Sequence, residues 1–563
     1  MAPPEAPKDD ELKPAFGGDP AGSAEAGEDV GGFSSLEAAL SLLRVVRPAQ
    51  VVRASAKLGV EIAKIAAGQS EIKPAPKDWR FQDRAWSENP VYRRIAQVYL
   101  AWSRAVTGLV DDEGPNWRNA ERAKFALEVL TTAAAPTNLL VGNPAALKEV
   151  FDTGGLNLVR GARNMLGDLR RNGGMPSQID RSDFEVGKDL AVTPGAVVLR
   201  NEMLELLQYQ PTTESVHTQP TLMIAPQINK YYFMDLAPGR SFIEYAVGRG
   251  VPFFAISWRN PTAAQADWDL DAYIEAIFEA IDVVRAITGS DQLNTLSLCA
   301  GGILTAAMLS YMAANGDDRI AAAAFGVTLL DWEERAPMGL FANPGVVSLA
   351  RWFSRRRGVL PGDTLARIFA WARPNDLVWN YWVNNYLLGR KPPAFDILAW
   401  NADVTNLPAA LHEQYMEIFS ENELCEPEAF KVLGKPIDLR AVEIDTFVTG
   451  AIADHLTPWR GCYRTTQLLS GDSTFVLSNA GHIASLINPP GNPKANYFLG
   501  PPPGHDPDAW LEQAKQHKGT WWEVWADWIE ERAGDSVPAP RELGSRRHPA
   551  REPAPGRYVF QQA

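Results

Sequence analysis

The sequence predicts an α/β fold built on a mostly parallel sheet and preceded by a mainly helical domain. Between residues 34 and 173, apolar residues recur three and four positions apart, which is the period of amphipathic helices. After residue 187, short apolar runs alternate with such helical stretches, a pattern typical of strand–helix–strand units. The alternation stops between about residues 332 and 439, where tryptophan is frequent. We interpret that stretch as a cap inserted over the functional edge of the sheet.

Each strand is placed by a short apolar run that ends at polar, glycine or proline residues. Ser241 and Glu244 have the spacing of a capping box and predict a helix start, with the helix ending near Gly248. A longer helix follows, with an apolar stripe running from Ile274 to Val284. We expect strands at residues 196–200, 203–208, 221–225, 252–257, 293–298, 323–330, 446–449 and 474–477.

These patterns divide the chain into four parts. Residues 1–32 are rich in proline, glycine, alanine and acidic side chains and predict a disordered tail. A helical domain is expected over residues 33–190, and an α/β domain over residues 191–535, with the cap inserted at about 332–439. An amphipathic helix with four tryptophans between residues 521 and 528 closes the α/β domain. Residues 536–563 mix arginine with proline and predict an extended C-terminal tail.

Composition excludes several classes of function and location. The 563 residues carry a formal net charge of -14, which argues against general binding of nucleic acid. Three cysteines offer no disulfide framework and favour a reducing compartment. The first residues are acidic and proline-rich, unlike a secretory signal, and no apolar run has the length of a membrane span. We therefore expect a cytoplasmic protein whose contact with any lipid-like phase is peripheral.

The candidate nucleophile is Cys299, in the segment Ser297-Leu-Cys299-Ala300-Gly301. A predicted strand runs into this turn and a helix follows, which is the nucleophile-elbow pattern of α/β-hydrolases with cysteine in place of serine. The turn needs small flanking residues, and Ser297 and Gly301 meet that need. The N–H group of Ala300 would face a developing oxyanion, and the helix N-terminus would favour a thiolate. The alternative is a small cysteine buried in an ordinary strand-to-helix turn.

An acid and a histidine follow the nucleophile in the order that α/β-hydrolases use. Asp454 comes after the strand at 446–449 and His482 after the strand at 474–477. Both therefore lie at the carboxyl ends of strands, where this class of fold places its site. His455 neighbours the acid; it is left as a residue that could pack beside the site or hydrogen-bond within it. We find no Cys/His cluster with metal-ligand spacing and no glycine-rich phosphate loop, and so expect neither a metal nor a cofactor.

Longer segments around these motifs resemble the polyhydroxyalkanoate synthases, over a region from about Trp79 to the C-terminus. They are more specific than the elbow alone. The matching segments are AWSENPVYRRIAQVYLAW at 85–102, the stretch from NGGMPSQIDRSDFEVGKDL to LRNEMLELLQY at 172–209, PQINKYYFMDL from 226, SWRNP from 257, RPNDLVWNYWVNNYLLG from 373, FDILAWNADVTNLP from 395, DHLTPW from 454 and GHIASLINPP from 481.

The resemblance implies an α/β-hydrolase core with a catalytic triad of Cys299, Asp454 and His482. The oxyanion would be held by N–H groups of Ala300 and of the loop near Gln227 and Ile228. The substrate would be an (R)-3-hydroxyacyl-coenzyme A thioester, and the product a polyester that grows on Cys299. Whether His482 or Asp454 activates the 3-hydroxyl group in elongation stays open.

The same resemblance implies partners and a cellular setting. The N-terminal domain would help in forming a homodimer or in docking on cytoplasmic polyester granules, where phasin-type granule proteins are further partners. The family's box is usually G-x-C-x-G, whereas this chain has Ser297 in the first position. Many short-chain members have tryptophan where this chain has Gln227, so the sequence looks more like the single-subunit, medium-chain type. The preferred monomer length, polymer size and position of the cap are not fixed by the sequence.

Two rival functions use the same residues differently. A thioesterase, lipase or polyester depolymerase would hydrolyse its substrate with the same triad, and most folds with a nucleophile elbow are hydrolases. A non-catalytic granule-coat protein would use only the amphipathic N-terminal region. The products made from a 3-hydroxyacyl-coenzyme A substrate distinguish these functions.

Overall fold

A computed structural model of the chain describes residues 46–76, 78–110, 117–180, 183–333 and 344–563. The predicted disordered tail at 1–32 lies outside the described residues. The region before the sheet is helical, as the period of its apolar residues predicts. Its helices are α1 (Pro48–Ala66), α2 (Ala85–Glu88), α3 (Pro90–Thr107), α4 (Trp117–Ala133), α5 (Pro144–Asp152) and α6 (Leu156–Arg171).

The main sheet has ten strands in the order β1-β2-β4-β3-β5-β6-β7-β8-β9-β10. The six strands from β4 to β8 in that order are parallel, and the two at each end are antiparallel. The strands are β1 (Gly195–Arg200), β2 (Leu204–Tyr209), β3 (Thr221–Ile224), β4 (Phe253–Trp258), β5 (Leu293–Leu298), β6 (Ile320–Gly326), β7 (Asp445–Ala451), β8 (Ser473–Ser478), β9 (Asn496–Leu499) and β10 (Lys515–Lys518).

Helices cover both faces of this sheet, so its central strands are buried on two sides. The tryptophan-rich helix packs on one face, where the indoles of Trp521 and Trp522 donate to the carbonyl oxygens of Ser485 and Leu486 at 2.8 Å. The helices of the two layers are α7 (Phe242–Gly248), α8 (Leu270–Thr288), α9 (Ala300–Ala314), α14 (Trp459–Leu468), α15 (His482–Ile487), α16 (Pro507–Gln513) and α17 (Trp521–Glu530). The α/β-hydrolase fold predicted from the sequence is confirmed by this arrangement.

Between β6 and β7 the chain forms the inserted region, which is mainly helical. In its described part, strands are limited to two-residue pairs, Val359–Leu360 with Leu407–Pro408 and Lys431–Val432 with Lys435–Pro436. Two π-helical turns, at Asn375–Trp379 and Trp382–Leu387, lie in its middle. Its α-helices are α10 (Pro344–Arg357), α11 (Gly362–Ala372), α12 (Asp396–Asn401) and α13 (Ala409–Glu421).

Helix α6 ties the N-terminal region to the π-helical turns of the inserted region. Asn157 donates to the carbonyl of Leu387 at 2.8 Å, and Asp168 accepts from the Tyr386 hydroxyl at 2.8 Å. Gly161 permits this contact, because a Cβ atom there would lie 1.9 Å from the Tyr386 carbonyl oxygen. Two polar side chains of α6, those of Asn157 and Asp168, therefore face protein. Its exposed side chains include four arginines and the apolar residues Leu156, Val159, Met165, Leu166 and Leu169.

The C-terminal residues lie against the sheet rather than away from it. Ser536–Pro538 pairs with the short strand Ser215–His217, and the Val197 N–H donates to the Glu552 carbonyl at 3.0 Å. Val559, four residues from the end of the chain, is buried.

Most of the predicted strands agree with the structure to within two residues, but two differences are larger. The strand expected at 323–330 runs from Ile320 to Gly326, because the backbone of Val327 has a positive φ of 45° and leaves the sheet. Strands β9 and β10 were not predicted, since residues such as Lys515–Lys518 are polar and exposed and show no apolar pattern. None of the helices in the described ranges combines the length and apolarity that crossing a membrane requires.

Candidate active site

Cys299 makes the whole connection between strand β5 and helix α9. The strand ends at Leu298 and the helix begins at Ala300. The Cys299 backbone has φ 50° and ψ −122°, a conformation that costs a residue with a side chain about 1–3 kcal/mol. Strained backbone of this kind is typical of a nucleophile held on a strand-to-helix turn. Cys299 is partly exposed, at the edge of the sheet that the sequence predicts.

The residues flanking Cys299 explain how the turn closes. A Cβ atom at Gly301 would lie 2.4 Å from the Ile224 carbonyl oxygen, so only glycine fits there. Ser297 occupies the first position of the elbow, where the G-x-C-x-G motif has glycine. Its hydroxyl donates to the Ala324 carbonyl on β6 at 3.1 Å. Because this buried hydroxyl has a partner, serine can replace glycine without leaving an unsatisfied polar group.

The other two cysteines are poor candidates for a nucleophile. Burial raises the pKa of the Cys425 thiol to about 12, and the nearby charge of Asp331 acts in the same direction. Cys462 is fully buried, and burial raises the pKa of its thiol well above the ordinary value. Since the thiolate is the reactive form, Cys299 is the cysteine best placed to react.

Asp454 and His482 meet beside the elbow, although 28 residues separate them in the chain. The His482 Nδ1 atom lies 2.6 Å from Asp454 Oδ2, and both side chains are buried. The Thr457 hydroxyl donates to the same carboxylate oxygen at 2.7 Å. The N–H groups of Leu456 and Thr457 donate to Oδ1 at 2.8 and 3.0 Å. Both oxygens of Asp454 are therefore occupied by donors.

The surroundings of Asp454 and His482 shift the pKa of each side chain so that its charged form is favoured. Burial alone would raise the pKa of Asp454, but the charge and hydrogen bond of His482 and the donors from Thr457 lower it below the ordinary value. Burial alone would lower the pKa of His482, but the charges of Asp454 and Cys299 and hydrogen bonds to both raise it to about 10. Since Nδ1 faces Asp454, Nε2 is the ring atom that remains for the Cys299 sulfur.

The loop after strand β3 forms another wall of the site. Gln227 is buried, and its Oε1 accepts from the Tyr415 hydroxyl at 2.6 Å. Tyr415 comes from helix α13 of the inserted region; burial raises its pKa, and the charges of Tyr273 and Cys299 add to that shift. The sequence reasoning missed Tyr415, because an aromatic residue on an apolar helix stripe is most simply read as core packing. The loop and the inserted region thus meet next to Cys299.

The charges of Asp454, His482 and Arg373 all act on His455, which adjoins both the catalytic pair and the inserted region. Its Nδ1 atom is buried and has no hydrogen-bond partner among the described residues. Burial lowers the pKa of His455 to about 4, and the positive charge of Arg373 contributes to the lowering. A neutral imidazole at this position can bind a polar group of a substrate without adding charge.

The described residues contain no group of three histidine, cysteine or acidic side chains arranged to hold a metal ion.

Comparison with known proteins identifies the family of the chain. Residues 77–246 match the model of the poly-beta-hydroxybutyrate polymerase N-terminus, and residues 223–489 match the alpha/beta hydrolase fold. A poly(3-hydroxyalkanoate) polymerase of Ectopseudomonas oleovorans is 46% identical over 528 residues, which are 93% of this chain and 94% of that protein. The chain belongs to the poly(3-hydroxyalkanoate) polymerase family. The resemblance drawn from the sequence motifs is thereby confirmed.

Other members of the polymerase family match over nearly the same length. A second polymerase of Ectopseudomonas oleovorans is 47% identical over 505 residues, covering 89% of this chain and 90% of that protein. A polymerase subunit of Cupriavidus necator is 41% identical over 502 residues, covering 88% of this chain and 85% of that protein. The match therefore includes the helical region, the sheet and the inserted region together.

Proposed function

We propose that this chain polymerises (R)-3-hydroxyacyl groups from coenzyme A thioesters into polyester, through an acyl intermediate on Cys299. The observation that carries the proposal is the strained Cys299 elbow facing the buried His482–Asp454 pair. Membership of the polymerase family supplies the substrate class.

In the first half-reaction, His482 has taken the proton of Cys299, and the thiolate sulfur then attacks the thioester carbonyl. The buried carboxylate of Asp454 stabilises the imidazolium that forms, in keeping with the raised pKa of His482. The tetrahedral intermediate collapses when the bond to the coenzyme A sulfur breaks. His482 returns its proton to that leaving sulfur, so coenzyme A departs as the thiol and the imidazole is neutral.

In the second half-reaction, the 3-hydroxyl of a monomer or chain end attacks the acyl group on Cys299. Acylation removes the negative charge of Cys299, which is one cause of the high pKa of His482. The imidazole can then accept the hydroxyl proton as a neutral base and pass it to the Cys299 sulfur as the thioester bond breaks. One oxoester bond is formed and the thiol is regenerated.

The hydrogen bonds of Asp454 support His482, rather than Asp454, as the base in elongation. Its Oδ1 accepts two backbone N–H groups, and its Oδ2 accepts the Thr457 hydroxyl and faces His482. The Asp454 side chain also has no exposed surface. A carboxylate held in this way orients the imidazole and balances its charge.

Polymerisation requires that water stays away from the acylated sulfur. The inserted region supplies aromatic side chains at this point: Tyr415 stacks on Phe419 with ring centroids 5.7 Å apart, and Phe419 packs on Trp332. These rings support the role of the inserted region as a screen over the site.

Helix α6 supports attachment to the polyester granule. Its polar Asn157 and Asp168 are buried against protein, whereas Leu156, Val159, Leu166 and Leu169 are exposed. A helix of a soluble protein normally turns its apolar side inward, and a row of exposed leucines marks a surface for an apolar partner. We assign the polyester surface as that partner, in the cytoplasm where the granule forms. Homodimer formation and binding of phasin-type granule proteins stay predictions from the family.

The experiment that tests the function is the analysis of products from purified protein. With 3-hydroxybutyryl- or 3-hydroxyoctanoyl-coenzyme A, we expect insoluble polyester and one coenzyme A released per monomer consumed. Release of coenzyme A together with free hydroxy acid would instead identify a hydrolase. A protein that binds granules but releases no coenzyme A would identify a non-catalytic coat protein.

A further inference from the structure

The loop after strand β3 is held on both sides of Ile228 by a side chain of the inserted region, that of Thr405. The buried Thr405 hydroxyl accepts from the Asn229 N–H at 2.7 Å and donates to the Gln227 carbonyl at 3.2 Å. One hydroxyl therefore fixes the peptide groups on both sides of Ile228. Asn229 has a positive φ of 77°, a backbone conformation that persists only where its surroundings hold it.

The segment that carries Thr405 is itself anchored by a buried ion pair. The Lys230 Nζ atom donates to Asp403 Oδ1 at 2.7 Å, and the Tyr232 hydroxyl donates to Asp403 Oδ2 at 2.9 Å. The Lys230 side chain is only 4% exposed and that of Asp403 only 10%. The Trp400 indole donates to the Lys230 carbonyl at 2.6 Å. Contacts on both sides of the segment thus fix the position of Thr405 relative to the loop.

The C-terminal residues complete this anchor. Lys230 Nζ also donates to the Val559 carbonyl at 2.6 Å. The N–H groups of Arg557 and Tyr558 donate to the buried carboxylate of Glu205 at 2.8 and 2.9 Å. The end of the chain is therefore fixed to strand β2 and to the loop at the same time.

Stability alone does not explain why a buried ion pair is present at this position. Removing two charges from water costs about as much as their attraction returns, and apolar residues of similar size often stabilise a fold equally well. Here the charged groups give the loop and the inserted segment a defined relative position, which packing alone does not specify.

Resting on the function proposed above, we infer that Thr405 is a positioning residue for the oxyanion site. It holds the Ile228 peptide so that its N–H group, together with that of Ala300, meets the oxyanion formed when Cys299 attacks the thioester. The ion pair of Lys230 and Asp403 and the Val559 carbonyl keep Thr405 in place. Donors in such a site act only if they are fixed before the reaction, and losing one typically slows the chemical step about 10²–10³-fold.

The test compares Thr405→Val, which keeps the side-chain shape and removes both hydrogen bonds, with Thr405→Ser, which keeps the hydroxyl. Acylation of Cys299 by radiolabelled 3-hydroxyacyl-coenzyme A is measured in rapid-quench experiments. We expect Thr405→Val to slow acylation about 100-fold with less than a threefold change in KM, and Thr405→Ser to recover most of the rate. Thr132→Val removes a buried hydroxyl far along the chain in α4 and serves as the matched control for loss of a hydroxyl.

A second measurement separates positioning from damage to the fold. Alkylation of Cys299 by iodoacetamide uses the sulfur and His482 but forms no oxyanion. We therefore expect its rate in Thr405→Val to stay within about twofold of the wild-type rate. Equal losses in alkylation and acylation would overturn the inference, as would an unchanged acylation rate in Thr405→Val or a loss of the same size in Thr405→Ser. If the wild-type protein itself never carries label on Cys299, the proposed function fails and this inference fails with it.

Discussion

The α/β core buries its apolar side chains, whereas helix α6 of the N-terminal region exposes several of its own. In the core, strand β5 and nearly all of helix α9 are buried, and the buried Ser297 hydroxyl donates to a carbonyl of the neighbouring strand. In helix α6, Asn157 and Asp168 are buried, while Leu166 and Leu169 expose 52% and 57% of their surface. The difference fits the proposal that the reaction takes place at a dry and fixed site, while a separate, open face contacts an apolar partner.

The largest effect is expected for Cys299→Ala, which removes the proposed nucleophile from the α/β core. Without the sulfur there is no acyl intermediate, so we expect polymer formation in cells and coenzyme A release in vitro to fall at least 10⁴-fold, as for loss of a nucleophile in other triads. The exposed face of α6 should be unaffected, so the variant should still bind pre-formed polyester particles. Polymer accumulation in a strain that carries only this variant would contradict the prediction.

Replacing Asp454 by asparagine tests how strongly the second half-reaction depends on the His482–Asp454 pair. The amide cannot balance an imidazolium, so we expect a loss of about 10³-fold in overall turnover. Elongation should lose more than the first acylation, because a hydroxyl is a much weaker acid than a thiol and depends more on the base. Rapid-quench measurement of both steps checks this prediction. Equal losses in the two steps would contradict a greater dependence of elongation on His482 and Asp454.

The outward face of α6 is tested by Leu166→Asp with Leu169→Asp. The two charges should reduce the fraction of protein bound to polyester particles about tenfold, because each carboxylate must be desolvated against an apolar surface. Acylation by soluble substrate should stay within about twofold of wild type. The variant Leu166→Met with Leu169→Met keeps the face apolar and should bind normally; binding lost in both variants, or in neither, would show that this face does not contact the polymer.

The smallest expected effect is on stability at high pH. The pKa of His482 is raised in the folded protein to about 10, above its ordinary value of 6.5. Its contribution to stability is therefore complete below about pH 6.5 and is lost as the pH rises through about 10. We expect the difference in Tm between wild type and His482→Gln to shrink by about 2 °C or more between pH 7 and pH 10.5. A constant difference over this range would contradict a charged His482.

The sequence predicts the core well because the decisive signals there are local. The strand Leu293–Leu298 has the predicted bounds, since its apolar run leads straight into the small residues around Cys299. The contacts that hold the loop after strand β3 are of another kind, because Lys230 meets Asp403 and Val559 across 173 and 329 residues. No local pattern marks such pairs. For the same reason the sequence left Tyr415 unnoticed, and it could not show that the C-terminal residues are part of the site's support.

The central claim is tested most directly by identifying the residue that becomes acylated. The wild-type protein is mixed with labelled 3-hydroxyacyl-coenzyme A, quenched with acid within milliseconds, digested and analysed by mass spectrometry. The account predicts the label on Cys299, and more of it in Asp454→Asn, where elongation is slowed more than acylation. Label on Cys425 or Cys462, or turnover to polymer with no covalent label at any time, would contradict it.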